Sequence, residues 1–235
     1  MTSPVVALRE LVFRWRGDTR DCLAIAEFSV GVGERVFLHG PSGSGKSTLL
    51  NLIGGVLVPQ RGEVSILGHG FAALGAARRD QLRADHIGFV FQQFNLIPYL
   101  PVIDNVLLPC RFSRRRQGRA QANGGSARAE AERLLGHLDL DPALWHKPAN
   151  LLSVGQQQRV AAARALIGTP ELIVADEPTS ALDAERQAAF ITLLLRECAE
   201  RGSALVFVSH DQRLAGQFDR VLALADLNAA AGVAA

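Results

Sequence analysis

The stretch GPSGSGKST, residues 40–48, constrains the chain more than any other part of it. It fits the pattern G-x-x-x-x-G-K-[ST], in which glycines let successive backbone N–H groups curl around phosphate oxygens. The residues before it, Arg35–His39, read as a strand, and residues 46–54 after it as a helix. Strand, glycine loop and helix in that order open a nucleotide-binding α/β unit. On this reading Gly40, Ser42, Gly43, Ser44, Gly45 and Thr48 wrap the phosphates and Lys46 brings positive charge to the β and γ groups. Ser47 offers a hydroxyl to Mg²⁺, and the helix adds its N-terminal dipole.

Around that loop the chain alternates. Residues 5–13 and Leu23–Val30 read as strands, followed after the loop by a short strand at 63–67, a helical stretch at 74–85 and a strand at 87–91. This is the pattern of a parallel core with an antiparallel side sheet. From 92 to 154 the strand signal disappears, and Val102–Phe112 and residues 127–138 carry helical periodicity. Between those helices, SRRRQGRAQANGGSAR at 113–128 has no apolar periodicity and reads as a mobile, solvated loop. Strand and helix then resume at 171–175, Ala184–Arg201, Ala204–Val208 and 220–224. The expected organisation is one domain over 1–235: a core of 1–91 and 155–226, a helical lobe at 92–154 and an alanine-rich tail at 227–235.

Composition removes other classes. With 25 basic and 23 acidic side chains the net charge of +2 gives no electrostatic case for nucleic acid. Cys22, Cys110 and Cys198 are far apart and form neither a disulfide framework nor a zinc motif. The longest apolar stretches end well short of the roughly 18 to 20 residues of a membrane helix, and MTSPVVALRE lacks the pattern of a secretory signal, so the chain is expected in the cytoplasm.

Two further segments carry chemistry. ELIVADEP, residues 171–178, is an apolar strand ending in two carboxylates: Asp176 suits a Mg²⁺ partner and Glu177 a base for an attacking water. LLSVGQQQRVAAARAL, residues 151–166, sets a Ser-x-Gly-Gln turn at the start of an amphipathic helix. Here the sequence resembles the ABC ATPase family: Ser153, Gly155, Gln156 and Arg159 match its signature motif, with Val154 standing where the family usually has glycine. Gln92 in IGFVFQQFNLIP matches the family's Q-loop glutamine, SALD at 180–183 its D-loop with Asp183, His210 in FVSHD its switch histidine, and Trp15 its adenine-stacking aromatic. The wording of FVFQQFNLIPYLPVIDNVLLP looks most like the lipoprotein-release and macrolide-export subgroup.

The resemblance implies a P-loop NTPase, RecA-like core with a side sheet and an inserted helical lobe, binding ATP and Mg²⁺. It implies that two chains, a homodimer, pair head to tail so that each ATP lies between Lys46 and Trp15 of one chain and Ser153 and Gly155 of the other. Gln92 would join the metal to the lobe, Glu177 would polarise water and His210 would contact the γ-phosphate. The implied partner is an integral membrane permease, with the ATPase peripheral on the cytoplasmic face of the inner membrane. A soluble or regulatory ABC ATPase acting through a non-transporting partner is the alternative. In FNLIPYL, residues 94–100, the flanking prolines Pro98 and Pro101 disfavour a regular element, so part of its apolar surface, Tyr99 above all, is expected to stay exposed for docking.

Overall fold

Two kinds of strand in this chain build two kinds of sheet. In chain order the elements are β1 Val6–Phe13, β2 Leu23–Val30, β3 Arg35–His39, α1 Lys46–Ile53, β4 Arg61–Ile66, β5 His69–Gly70, α2 Ala76–His86, β6 Ile87–Val90, α3 Val102–Phe112, α4 Arg114–Gly124, α5 Ala127–His137, α6 Val154–Leu166, β7 Leu172–Asp176, α7 Ala184–Arg201, β8 Ala204–Val208, β9 Arg220–Ala223 and α8 Leu224–Leu227. The computed structural model describes residues 3–180 and 182–230, so Ala181 of the SALD segment and residues 231–235 of the expected tail lie outside the described residues. The chain forms two compact units, residues 1–83 with 204–235, and residues 84–203.

In the first unit β1 and β2 share one burial pattern, apolar side chains inward and Arg9, Glu10, Glu27 or Ala26 outward, and they pair antiparallel from Val6 opposite Val30 to Phe13 opposite Leu23. β4 pairs with the other edge of β1 and β5 with β4, completing a four-stranded antiparallel sheet. β3 is different. Val36, Phe37 and Leu38 are all fully buried, the continuous apolar run of a parallel strand covered on both faces. It lies parallel to β8 on one side and β9 on the other, with Phe37 opposite both Phe207 and Val221. The rings of Phe37, Phe207 and Phe218 cluster at centroid distances of 5.2 to 6.1 Å. After β9 the chain does not fade at once: α8 brings the buried Asn228 against β2, where its Oδ1 accepts from Ala24 N at 2.8 Å and its Nδ2 donates to Cys22 O at 3.0 Å.

In the second unit β6 and β7 pair parallel, Ile87 opposite Leu172 and Val90 opposite Ala175. The alanine face of α6 packs close: a Cβ on Gly88 would fall 2.2 Å from Ala165 O, so β6 and α6 can meet at this distance only because residue 88 is glycine. Among the described residues no helix is long and apolar enough to cross a membrane.

The segment read as a mobile loop, 113–128, is instead mostly helix. Ser113 caps α4 by accepting from Arg116 N at 3.0 Å, Gly125 ends it with φ +76°, and Ser126 caps α5. The helix is invisible to apolar periodicity because its buried face holds an arginine. Arg116 is 2% exposed and donates to the carbonyls of Ile167, Ala165 and Arg164 at 2.7, 2.6 and 3.2 Å, closing the C-terminal end of α6. Burial pushes its guanidinium down to about 10, still charged at neutral pH. Arg115 and Arg119 reach Glu171 at 2.7 and 2.8 Å, and His86 Nδ1 reaches it at 2.8 Å. Burial alone would raise the Glu171 carboxyl, but those hydrogen bonds overcome it and hold the group well below the usual carboxylate range.

Candidate nucleotide site

The loop at 40–45 inherits its position from β3, whose buried run leaves it no freedom to slide. Gly43 and Gly45 adopt φ +77° and +100°, which L side chains rarely take, and a Cβ on Gly45 would also press to 3.0 Å from Leu23. Gly45 therefore begins α1 with no side-chain cap, and the first turn of α1 holds no acidic residue. Lys46 is 7% exposed and folds over the loop, its Nζ 2.9 Å from both Gly40 O and Pro41 O. In the same loop Ser44 Oγ is buried without a hydrogen-bond partner, a group that a folded chain leaves so only at a cost of roughly 1–3 kcal/mol. Uncapped helix end, ammonium and orphaned hydroxyl converge on one loop and suit an anion. Ser47 is exposed on the first turn and Thr48 nearly buried beside Cys22, whose Sγ lies 3.8 Å from Thr48 Oγ1.

Two more of the expected residues lie in this unit. Trp15 is 45% exposed on the turn after β1, with its ring edge-on to Phe13 at 5.1 Å. The turn is braced, since Arg14 exchanges two bonds of 2.8 Å with the Gln60 side chain and pairs with Asp21. His210 is exposed just past β8, the strand next to β3, so it and the phosphate loop follow the same ends of neighbouring parallel strands. Ligand sites of open parallel sheets lie at those carboxyl ends.

The second unit holds the others. Asp176 ends β7, and Glu177 after it takes φ +44°, an uncommon backbone for a non-glycine residue and the kind of strain found at functional turns. That turn is gripped from both sides: Gln158 of α6 donates to Pro178 O at 2.9 Å, and Gln187 of α7 to Thr179 O and Leu182 O at 3.0 Å each. Asp183 caps α7 by accepting from Arg186 N at 3.0 Å. Ser153 caps α6, and with Gln156 it forms a reciprocal capping box: Ser153 N donates to Gln156 Oε1 at 2.9 Å and Ser153 Oγ accepts from Gln156 N at 3.4 Å. Val154 is the first helical residue and is 47% exposed, and a Cβ on Gly155 would come into ordinary contact with the Leu182 side chain at 3.6 Å. Beside this turn opens a cleft of about 630 Å³ lined by Ser153, Gly155, Gln156, Arg159, Leu182 and Phe190 among others.

Gln92 is exposed beyond β6, and the loop after it is built by groups the sequence reading missed. Phe94 and Asn95 both take positive φ, and their carbonyls accept from the Arg164 guanidinium of α6, which burial lowers to about 10. Fully buried Asn105 binds Ile97 N at 2.8 Å and the carbonyls of Ile97, Leu100 and Pro101. A lone amide in the apolar run VIDNVLLP was the available signal. Tyr99 is 75% exposed, whereas Phe94 is buried.

A loop of this construction holds the phosphate end of a nucleotide, and with the parallel strands that deliver it the chain falls among the P-loop nucleotide-binding proteins. The family model described as ABC transporter matches residues 23–180, and the chain belongs to that family, as one of its ATPase domains. It is 42% identical over 226 residues to the lipoprotein-releasing system ATP-binding protein LolD of Novosphingobium aromaticivorans, covering 95% of this chain and 97% of that protein. It is 41% identical over 211 residues to the macrolide export ATP-binding/permease protein MacB of Escherichia coli, covering 89% of this chain but only 31% of that longer protein. Among solved structures, a dimeric post-hydrolysis state of the ATP-binding cassette MJ0796 bound to ADP and Pi superposes with a TM-score of 0.81 at 38% identity, over 93% of each chain.

Proposed function

We propose that the chain is the ATP-hydrolysing subunit of an ABC transporter, paired head to tail with an identical chain and seated on a separate integral membrane permease at the cytoplasmic face of the cell membrane. The observation that carries this is the phosphate loop itself, which holds both a buried, unpartnered Ser44 hydroxyl and the Lys46 ammonium. The full-length match to a lipoprotein-releasing ATP-binding protein, and the dimeric form of the similar cassette, support the partner and the pairing.

On this reading Trp15 stacks on adenine, residues 40–48 and Lys46 hold the phosphates, and Ser153, Gly155 and Gln156 of the second chain complete the γ-phosphate's surroundings. Glu177 accepts the proton of the attacking water as the bond from the γ-phosphorus to the ADP oxygen breaks, and His210 steadies the γ-phosphate. Ser47, Asp176 and Gln92 offer oxygen donors of the hard kind that Mg²⁺ takes, and that ion when bound neutralises charge on the β and γ phosphates. Asp183 joins the interface. Tyr99 and Leu151, 75% and 69% exposed and carried by backbone segments that hydrogen-bond to each other at Pro98 and Asn150, form the docking surface.

Purification of the tagged chain from detergent-solubilised membranes tests the whole reading. A multi-span protein should accompany the wild type and be lost from Tyr99→Arg, while the isolated variant keeps its ATPase activity and stability. Recovery of the wild type without any integral partner would move the chain to the soluble or regulatory ABC ATPases.

A further inference from the structure

Between the phosphate loop and His210 the first unit contains a side-chain link that none of the matched motifs covers. His39 is the last residue of β3, immediately before Gly40, and lies in register with Ala223 of β9. Gln212, two residues after His210, starts the short 3-10 helix Gln212–Gln217. Its amide Nε2 lies 3.2 Å from His39 Nδ1. On the near side of His210 the backbone is tied to the same strand, for Ser209 N donates to Leu38 O at 3.2 Å. The residues between are held locally: Asp211 N donates to Ser209 Oγ at 3.1 Å, and the Asp211 carboxylate accepts from Arg213 N and from its guanidinium. His210 therefore sits in a span of four residues fastened at both ends to the two residues that lead into the phosphate loop.

We propose that the His39–Gln212 bond is a latch that holds the His210 turn in register with the phosphate loop, making His39 and Gln212 positioning residues for hydrolysis; this rests on the reading of His210 given above. Without the latch the Gln212 end of the turn loses its side-chain tie to β3, and His210 is held less closely in register with the phosphate loop. Neither latch residue is asked to touch nucleotide, so the effect belongs in the chemical step rather than in binding. Gln212 is exposed, so Gln212→Leu does not touch the Phe37, Phe207 and Phe218 cluster, whereas the partly buried His39 ring also lies 6.3 Å from Phe37, which makes Gln212→Leu the cleaner of the two variants.

Steady-state ATP hydrolysis by the full chain tests this. Gln212→Leu and His39→Leu should each lower kcat roughly three- to tenfold with KM within about twofold of wild type, and the double variant should lose no more than either single one. His39→Asn should restore most of kcat, because Asn Oδ1 stands at the same bond count from Cα as imidazole Nδ1, whereas His39→Gln places its polar atoms one bond further out and should not. A wild-type kcat in Gln212→Leu, losses that multiply in the double variant, or a rise in KM at unchanged kcat would each overturn the latch. A His210→Ala variant separates the two levels: if it loses hydrolysis while both latch variants keep theirs, the latch alone is wrong. If it turns over like wild type, the role of His210 and the latch fall together.

Discussion

The starts of α1 in the first unit and α6 in the second both carry glycine, and they finish their turns in opposite ways. Gly45 gives α1 no side-chain acceptor, and the nearby Ser44 hydroxyl is buried without a partner. Ser153 and Gln156 close the start of α6 with a capping box made wholly from the chain's own groups. The first helix end is left for something outside the chain, while the second already has its Ser153 and Gln156 N–H groups paired by the chain's own side chains. An anion arriving at α6 must compete with a cap of about 1 kcal/mol. On the proposed reading the single chain carries its phosphate affinity at α1, and α6 contributes when a second chain presents a phosphate already bound.

The largest test of that asymmetry is Lys46→Ala. The ammonium that now bridges Gly40 O and Pro41 O would meet the phosphates instead, and charge-assisted bonds contribute about 1.5–3 kcal/mol each. ATP affinity of the isolated chain, measured by equilibrium titration, should fall at least about 100-fold. If α6 held a comparable share in the single chain, the loss would be far smaller and the comparison would fail.

The far end of α6 gives the next effect. Its last carbonyls depend on the buried guanidinium of Arg116, where α1 has only the longer bonds of the partly buried Arg83 to Gly54 O and Gly55 O at 3.4 and 3.3 Å. Arg116→Met keeps the volume but leaves those acceptors unsatisfied, so unfolding by denaturant should show a loss of about 2 kcal/mol with nucleotide affinity unchanged. A neutral result would mean that the carbonyls find other donors and that α4 is only an appendage.

Arg116 also shows where sequence reading runs out. The phosphate loop was legible because a backbone that must turn with positive φ at fixed spacing leaves few residue choices, and Gly43 and Gly45 are the traces of that constraint. β3 and β8 were legible as continuous apolar runs. α4 was not, because periodicity counts apolar side chains and this helix buries a cation among carbonyls some 50 residues downstream. Gln158, Gln187 and Arg164 were missed for the same reason: each binds a backbone carbonyl outside its own helix, and a carbonyl leaves no mark in the sequence. The start of α6 was half legible. Ser153 and Gln156 were read as facing a ligand, and in the structure each side chain also accepts from the other residue's backbone N–H, a cap the sequence reading did not anticipate.

Trp15 adds the base to the phosphate side of the comparison. Its braced turn leaves nearly half of the side chain open, and stacking of an aromatic ring on a base contributes roughly 1–3 kcal/mol. In a Trp145→Phe background the remaining indole should report ATP by a change in fluorescence, and Trp15→Ala should weaken binding about tenfold. An indole indifferent to saturating ATP, together with unchanged affinity on its removal, would reduce Trp15 to a packing residue beside Phe13.

The smallest effect is the one that bears most directly on α6. Ser153→Ala removes the acceptor for Gln156 N and opens the capping box, which should cost about 1 kcal/mol, or a melting temperature lower by roughly 2–4 °C for a chain of this size. Because α6 caps itself without ligand, the same change should leave the ATP affinity of the isolated chain untouched. Ser153→Asp sharpens the point. A carboxylate is as good a cap as a hydroxyl and favours the positive end of the helix dipole, so stability should be kept or slightly raised. A phosphate brought by the second chain would meet that carboxylate as a like charge, so hydrolysis by the pair should collapse although each chain still binds ATP. Stability and activity then move in opposite directions at one residue, which a purely structural cap cannot produce: if Ser153→Asp hydrolyses ATP as the wild type does, the box at α6 is only a helix cap, and the two helix ends differ in nothing more than which residues finish them.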